Sequence, residues 1–178
     1  MSNTQLEYSN IQTECSNLFY AKAKDYGTSW RVMRLPSLLD QIFIKAKRIR
    51  SIQENVGEQK VNDPIRGDYI GIINYCIMML IQMELGVTID ADENVEAIFS
   101  LYNINFKKAN QIMLDKNHDY GEAWRNMNVE SFIDLILSRI ARLKQIFTNK
   151  HTSEVSEGPD SNLYDMVNYA IFALIRLD

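Results

Sequence analysis

The stretch KAKDYGTSWRVM, residues 22–33, is answered 94 positions later by KNHDYGEAWRNM, residues 116–127. Both carry the pattern K-x-x-D-Y-G-x-x-W-R-x-M, which chance does not write twice in 178 residues. Working outward at the same offset, residues 22–84 align with 116–178 without a gap. Ser37, Asp40, Ile42, Arg48 and Ile52 return as Ser131, Asp134, Ile136, Arg142 and Ile146. Asn74, Tyr75, Ile77, Leu80 and Ile81 return as Asn168, Tyr169, Ile171, Leu174 and Ile175. The chain is one unit written twice.

Each copy reads as three helices, because its apolar residues recur at helical rather than alternating spacing. Tyr8, Ile11, Cys15, Leu18 and Phe19 form the first stripe, and Val95, Ile98, Phe99, Tyr102, Phe106, Ala109 and Met113 its counterpart. Asp90 with Glu93 has the spacing of a capping box at the start of that second stripe. The middle helices carry Leu38, Leu39, Ile42, Phe43, Ala46, Ile49 and Ile52, and Phe132, Ile133, Ile136, Leu137, Ile140, Leu143 and Ile146, with Pro36 suited to a first turn. The third helices, about residues 68–84 and 162–178, are apolar nearly all round, the mark of central placement. Gly86 can close the former. Residues 57–67 and 149–161 read as exposed loops. A three-helix unit exposes a large apolar face, and a second copy offers a self-complementary partner. The expected fold is all-α: a bundle of about six main helices in a single compact domain over residues 1–178. It is built from repeats 1–86 and 90–178 related by a pseudo-two-fold.

Composition narrows the classes of function. With 46% hydrophobic and 24% charged residues the chain is an ordinary globular protein. A formal net charge of -4 supplies no global attraction to nucleic acid or to an anionic membrane, so a phosphorylated ligand would need a local basic cluster. Cys15 and Cys76 fall among apolar helical positions without zinc-like spacing, and the first residues lack a basic and an apolar signal region. A cytoplasmic protein is expected, with self-association left open. The apolar run Tyr69–Ile81 is too short to span a bilayer.

Four groups of polar residues stand out. Asp25 and Asp119 lie near helix C-termini, against the macrodipole, and should have an offsetting partner. Either each caps a short Trp-Arg helix while Gly27 or Gly121 turns left-handed, or each meets a cation: Arg31, Arg125, or a magnesium ion carrying a nucleotide phosphate. Tyr26, Trp30, Tyr120 and Trp124 either stack on a base or belong to the core. Lys45 with Arg48, and Arg139 with Arg142, project from one helix face as either a solvated charged stripe or a phosphate clamp. Asn74 and Asn168 interrupt the most apolar helices and must be hydrogen-bonded if buried. Asp165 lies one turn before Asn168, but its counterpart is Gly71, with Asp68 a turn earlier where the second copy has Asn162, so the two copies cannot hold equivalent sites. His118 and His151 lack partners at ligand spacing, and no glycine-rich phosphate loop, GxSxG elbow or HExxH is present.

The sequence K-x-x-D-Y-G with a following aromatic, then K/R-x-x-R-I/L, then D-x-x-N-Y-A-I, resembles the nucleotide-modification-associated domain one family, formerly a domain of unknown function. It covers Lys116–Leu177 best and Lys22–Ile81 nearly as well. The resemblance implies a bacterial or phage protein of nucleotide or modified-base metabolism. It carries over Lys22, Asp25, Tyr26, Gly27, Lys45, Arg48, Asn74 and Tyr75, and Lys116, Asp119, Tyr120, Gly121, Arg139, Arg142, Asp165, Asn168 and Tyr169. The third helix is also distantly similar to that of the all-α nucleotide pyrophosphatases, although cations replace their paired glutamates. The leading expectation is a nucleotide-handling protein. The middle-helix cations and the Trp-Arg pairs would hold a nucleotide or another phosphorylated small molecule, and Asp119 with Asp165 would hold magnesium or orient water for pyrophosphatase-like hydrolysis. The alternative is a non-catalytic helical scaffold whose shared motifs preserve a duplicated core. Nucleic-acid binding ranks last.

Overall fold

In a computed structural model, which describes residues 3–55, 63–148 and 158–178, the chain is helical in each half and the described residues contain no strand. The first half comprises α1 (Asn3–Tyr26), a short 3-10 helix (Ser29–Val32), α2 (Leu35–Glu54) and α3 (Ile65–Leu85). The second comprises α4 (Val95–Tyr120), a 3-10 helix (Ala123–Asn126), α5 (Val129–Thr148) and α6 (Pro159–Leu177). The third helices begin earlier than their apolar patterning suggests, because Pro64 and Gly158 stand at the N-caps. Of the expected loops, residues 57–62 and 149–157 lie outside the described residues.

Burial explains the arrangement. Helices α3 and α6 bury Ile72, Ile73, Ile77 and Ile81, and Leu163, Val167, Ile171 and Leu174, and they pack against each other. Helix α2 packs on α3 and on α5, and α1 packs on α4, so each helix meets its own counterpart. That is the signature of a two-fold relation between the halves. All six helices feed one hydrophobic cluster. Leu18 departs from the expected stripe, being 40% exposed on α1. No helix among the described residues is long and apolar enough to cross a membrane.

The buried polar groups obey the same reciprocity. Asn74 donates through Nδ2 to the Cys15 carbonyl at 3.4 Å, and Asn168 to the carbonyl of Ala109, the counterpart of Cys15, at 3.0 Å. The two amide oxygens are satisfied across the pseudo-axis: Tyr102 donates to Asn74 Oδ1 at 2.7 Å and Tyr8 to Asn168 Oδ1 at 2.9 Å. Gln82 Nε2 donates to the carbonyls of Arg31 and Met33, and Arg176 Nη1 to those of Arg125 and Met127, so each third helix holds its own 3-10 helix. On the outer face Arg50 pairs with Asp134 at 3.4 Å and Lys144 with Asp40 at 3.7 Å, again as exchanged equivalents.

The capping box expected at Asp90 and Glu93 does not form. Asn94 is the N-cap, its side chain accepting from the Ala97 amide at 3.0 Å. Glu93 is taken instead by the buried Arg31 guanidinium at 3.0 Å, since a buried cation without a partner would cost more than a missing cap contributes.

Substituting Tyr8→Phe or Tyr102→Phe strands a buried amide oxygen, and each should lower unfolding stability by about 1–3 kcal/mol. Urea denaturation checks this, and a negligible loss in both variants would overturn the exchanged-bond picture. Burial also pushes the phenols of Tyr69 and Tyr164 up to about 12, and it raises those of Tyr8 and Tyr102 further. In the unfolded chain tyrosine ionises near its ordinary value of about 10. Above that pH the unfolded state binds fewer protons, so this stabilisation, complete below about pH 10, should drain away toward pH 12. Unfolding followed against pH by tyrosinate absorbance should show a cooperative alkaline transition rather than gradual titration.

Candidate functional site in the second half

In each half the first helix ends on a left-handed glycine, Gly27 at φ 66° and Gly121 at φ 59°. The reversal folds the Trp-Arg turn back against the third helix and leaves a cleft between them. In the second half this cleft measures about 380 Å³ and takes in Lys116 from the end of α4, Arg139 from α5, and Asp165 and Asn168 from α6. Asp165, its side chain only 9% exposed, receives Lys116 Nζ on Oδ1 at 2.6 Å and Arg139 on Oδ2 at 2.9 Å. The apolar wall includes Trp124 and Phe172, whose rings stack with centroids 4.3 Å apart and planes 4° from parallel. The Trp124 ring nitrogen is buried without an acceptor among the described residues. Tyr120, 73% exposed, also lines the cleft.

The equivalent cleft of the first half is smaller, about 240 Å³, and is lined by Lys22, Tyr26, Trp30, Tyr75 and Met78 among others. Gly71 stands where Asp165 does, and the Lys45 side chain lies over it: a Cβ at Gly71 would fall 2.5 Å from Lys45 Cε. Lys45 reaches instead toward Asp68 at 3.8 Å, and Arg48 pairs with the same carboxylate and with the Asp63 carbonyl. The non-equivalence of the copies therefore consists of one carboxylate moved by a turn, together with the cations that follow it.

Several sequence-derived candidates are placed elsewhere. Asp119 is 76% exposed, contacts His118 Nδ1 at 3.1 Å and does not line the cleft. Asp25 is likewise exposed and lines neither cleft; neither aspartate caps its 3-10 helix. Arg142 is half-buried outside the cleft. Arg31 is buried on Glu93 and the Gly86 carbonyl, fastening the connection into α4. Arg125 binds Thr4 and Glu7 of α1 and Glu122, at 2.5–2.8 Å, while its guanidinium lies 4.3 Å from the Trp124 ring centroid. Hydrogen bonds from Thr4 and Arg125 hold the Glu122 carboxyl below its ordinary range. The two arginines thus join the halves, and Trp124 already stacks on the protein's own Phe172. Sequence reading did not single out Phe172, Glu122 or the Gln82 and Arg176 pair. Gln82 and Arg176 share the offset and are both polar on apolar helices, a signal that comparison by identity passes over.

The donor set does not suit a resident magnesium centre. Magnesium takes hard oxygen donors, but both oxygens of Asp165 are engaged by cations, and Asp119 lies outside the cleft. Among the described residues no three of His, Cys, Asp and Glu come together.

Replacing Asp165 with Ala would leave Lys116 and Arg139 facing each other uncompensated, at an expected cost of about 1–2 kcal/mol after allowing for their partial exposure. Asp119→Ala should stay within about 0.5 kcal/mol of wild type. Chemical denaturation of the two variants tests the assignment, and equal effects would contradict it.

A family model described as nucleotide modification associated domain 1 matches residues 22–83 and, a second time, residues 116–177. Among curated proteins and among solved structures no match was found. The matched spans are the two aligned repeats, including the turn, the cleft cations and the third helix of each. The chain belongs to the nucleotide modification associated domain 1 family, in two tandem copies.

Proposed function

We propose that the protein binds a nucleotide in the cleft of its second half. The observation that carries this reading is the meeting of Lys116, Arg139 and Asp165 with an aromatic wall in one concave space of about 380 Å³. A mostly apolar cleft with a few convergent polar groups is the usual form of a small-molecule site. Guanidinium and ammonium groups match phosphate oxygens, and the exposed ring of Tyr120 is available to cover a base. The buried ring nitrogen of Trp124 offers a donor to any acceptor that reaches it. Membership of the family supports a role in nucleotide or modified-base metabolism.

The arrangement supports binding more directly than hydrolysis. A general base must be within reach of the proton it takes and be oriented toward it. Asp165, the carboxylate in the cleft, is bound to two cations. The second reading, a non-catalytic scaffold, is favoured by Arg31 and Asn74 and by their counterparts Arg125 and Asn168, all spent on internal bonds.

The test is a thermal-shift panel of nucleoside mono-, di- and triphosphates on the full chain, with and without magnesium. A ligand at a hundredfold excess over its Kd should stabilise the fold by about 2.7 kcal/mol. Lys116→Ala and Arg139→Ala should reduce the shift. A panel that moves no melting temperature would leave the scaffold reading standing alone.

A further inference from the structure

The charge lining a cleft bears on how many phosphoryl groups a ligand can bring into it. Among the described residues lining the second-half cleft, the charged ones are Lys116, Arg139 and Asp165, a formal sum of +1. In the first-half cleft the charged residue is Lys22, again +1. The halves reach this value by different routes. The second adds a carboxylate and a cation together, Asp165 with Arg139. The first has Gly71 in place of the carboxylate and draws Lys45 away to Asp68. A carboxylate and a cation differ as a pair between the halves, and the sum does not change.

From this balance we infer that the second-half cleft takes a nucleoside monophosphate, bound without a divalent cation; this rests on the reading of that cleft as a nucleotide site. A phosphate monoester carries between one and two negative charges near neutral pH, the closest match among nucleotide phosphates to the net single positive charge of Lys116, Arg139 and Asp165 together. Each further phosphoryl group brings charge that triphosphate sites meet with magnesium and additional cations. Here Asp165 stands in their place. Its carboxylate is buried between Lys116 and Arg139, so a longer phosphate chain laid along those cations runs against a like charge. The carboxylate also holds both cations in place before the ligand arrives, so little ordering remains to oppose binding.

The test is calorimetric titration of the full chain with the mono-, di- and triphosphates of adenosine, guanosine, cytidine, uridine and thymidine, with a chelator present throughout. For the base that binds best, the monophosphate should bind about tenfold or more tightly than the triphosphate. Lys116→Ala should weaken the monophosphate by a similar factor. Asp165→Asn, which keeps the shape and removes the charge, should improve the triphosphate and narrow the gap. Circular dichroism confirms that each variant is folded, and Lys116→Ala alone still tests the site if Asp165→Asn is not. Affinity that climbs from mono- to triphosphate in the wild type would overturn the inference and leave nucleotide binding intact. Monophosphate affinity unmoved by Lys116→Ala would overturn it by removing the ligand from this cleft. Absence of binding by any of the compounds would remove both readings.

Discussion

Two carboxamides, Asn74 and Asn168, sit in the middle of the most buried helices, and each has its oxygen satisfied by a tyrosine from the other half. A buried amide left unpaired costs roughly 1–3 kcal/mol, whereas a hydrophobic surface by itself tolerates sliding. The exchange of Tyr8 and Tyr102 therefore sets the register of α1 on α6 and of α4 on α3, because a shift of the halves by one turn would strand both oxygens at once. The remaining arrangement follows from that register. Gln82 and Arg176 fix each Trp-Arg turn to its third helix, and Arg31 and Arg125 then reach the start of the opposite half's first helix. The clefts lie between these fixed turns and the central helices, so their walls depend on the same bonds.

Much of this was legible in the residues, though unevenly. The offset of 94 gave the duplication, the helical spacing gave six helices, and the asparagines on apolar helices announced buried hydrogen bonds. Their partners were not legible, because Tyr8 and Tyr102 read equally well as core aromatics and a hydroxyl's direction is decided only in three dimensions. The same limit applies to Arg31 and Arg125. A Trp-Arg pair next to a glycine turn has the composition of a ligand site, yet both guanidiniums find carboxylates on the opposite half. Glu93 shows the cost of local reading: its spacing from Asp90 suits a cap, but a buried cation 62 residues away claims it. For Asp165 the sequence placed the carboxylate correctly beside Asn168, and only packing revealed that Lys116 and Arg139 converge on it.

Duplication also explains why the halves differ where they do. Positions that meet across the pseudo-axis are under a double constraint, since a change in one copy disturbs a contact used by both. Asn74 with Tyr102 and Asn168 with Tyr8 remain identical, and so do the two aspartates, Asp40 and Asp134, that pair across α2 and α5. Positions whose charge partners lie within their own half lack this coupling. Gly71 and Asp165, or Asp68 and Asn162, can diverge without cost to the opposite half. The difference between the clefts is thus what the topology permits, and its direction is informative.

That direction follows from electrostatics within each half. A carboxylate at position 71 would have to displace the Lys45 stem, which lies within 2.5 Å of where its Cβ would stand. With the carboxylate at Asp68 instead, both Lys45 and Arg48 turn toward the N-terminal end of α3, away from the cleft. In the second half Asn162 occupies that earlier position and has no charge to attract Arg142, while Asp165 draws Arg139 and Lys116 together at the cleft. Moving one carboxylate by a single helical turn therefore decides whether the first middle-helix cation turns to the N-terminal end of the third helix, as Lys45 does, or lines the cleft, as Arg139 does. Sequence motifs that list the cations alone are blind to this, because the same K/R-x-x-R spacing meets differently placed carboxylates in the two halves.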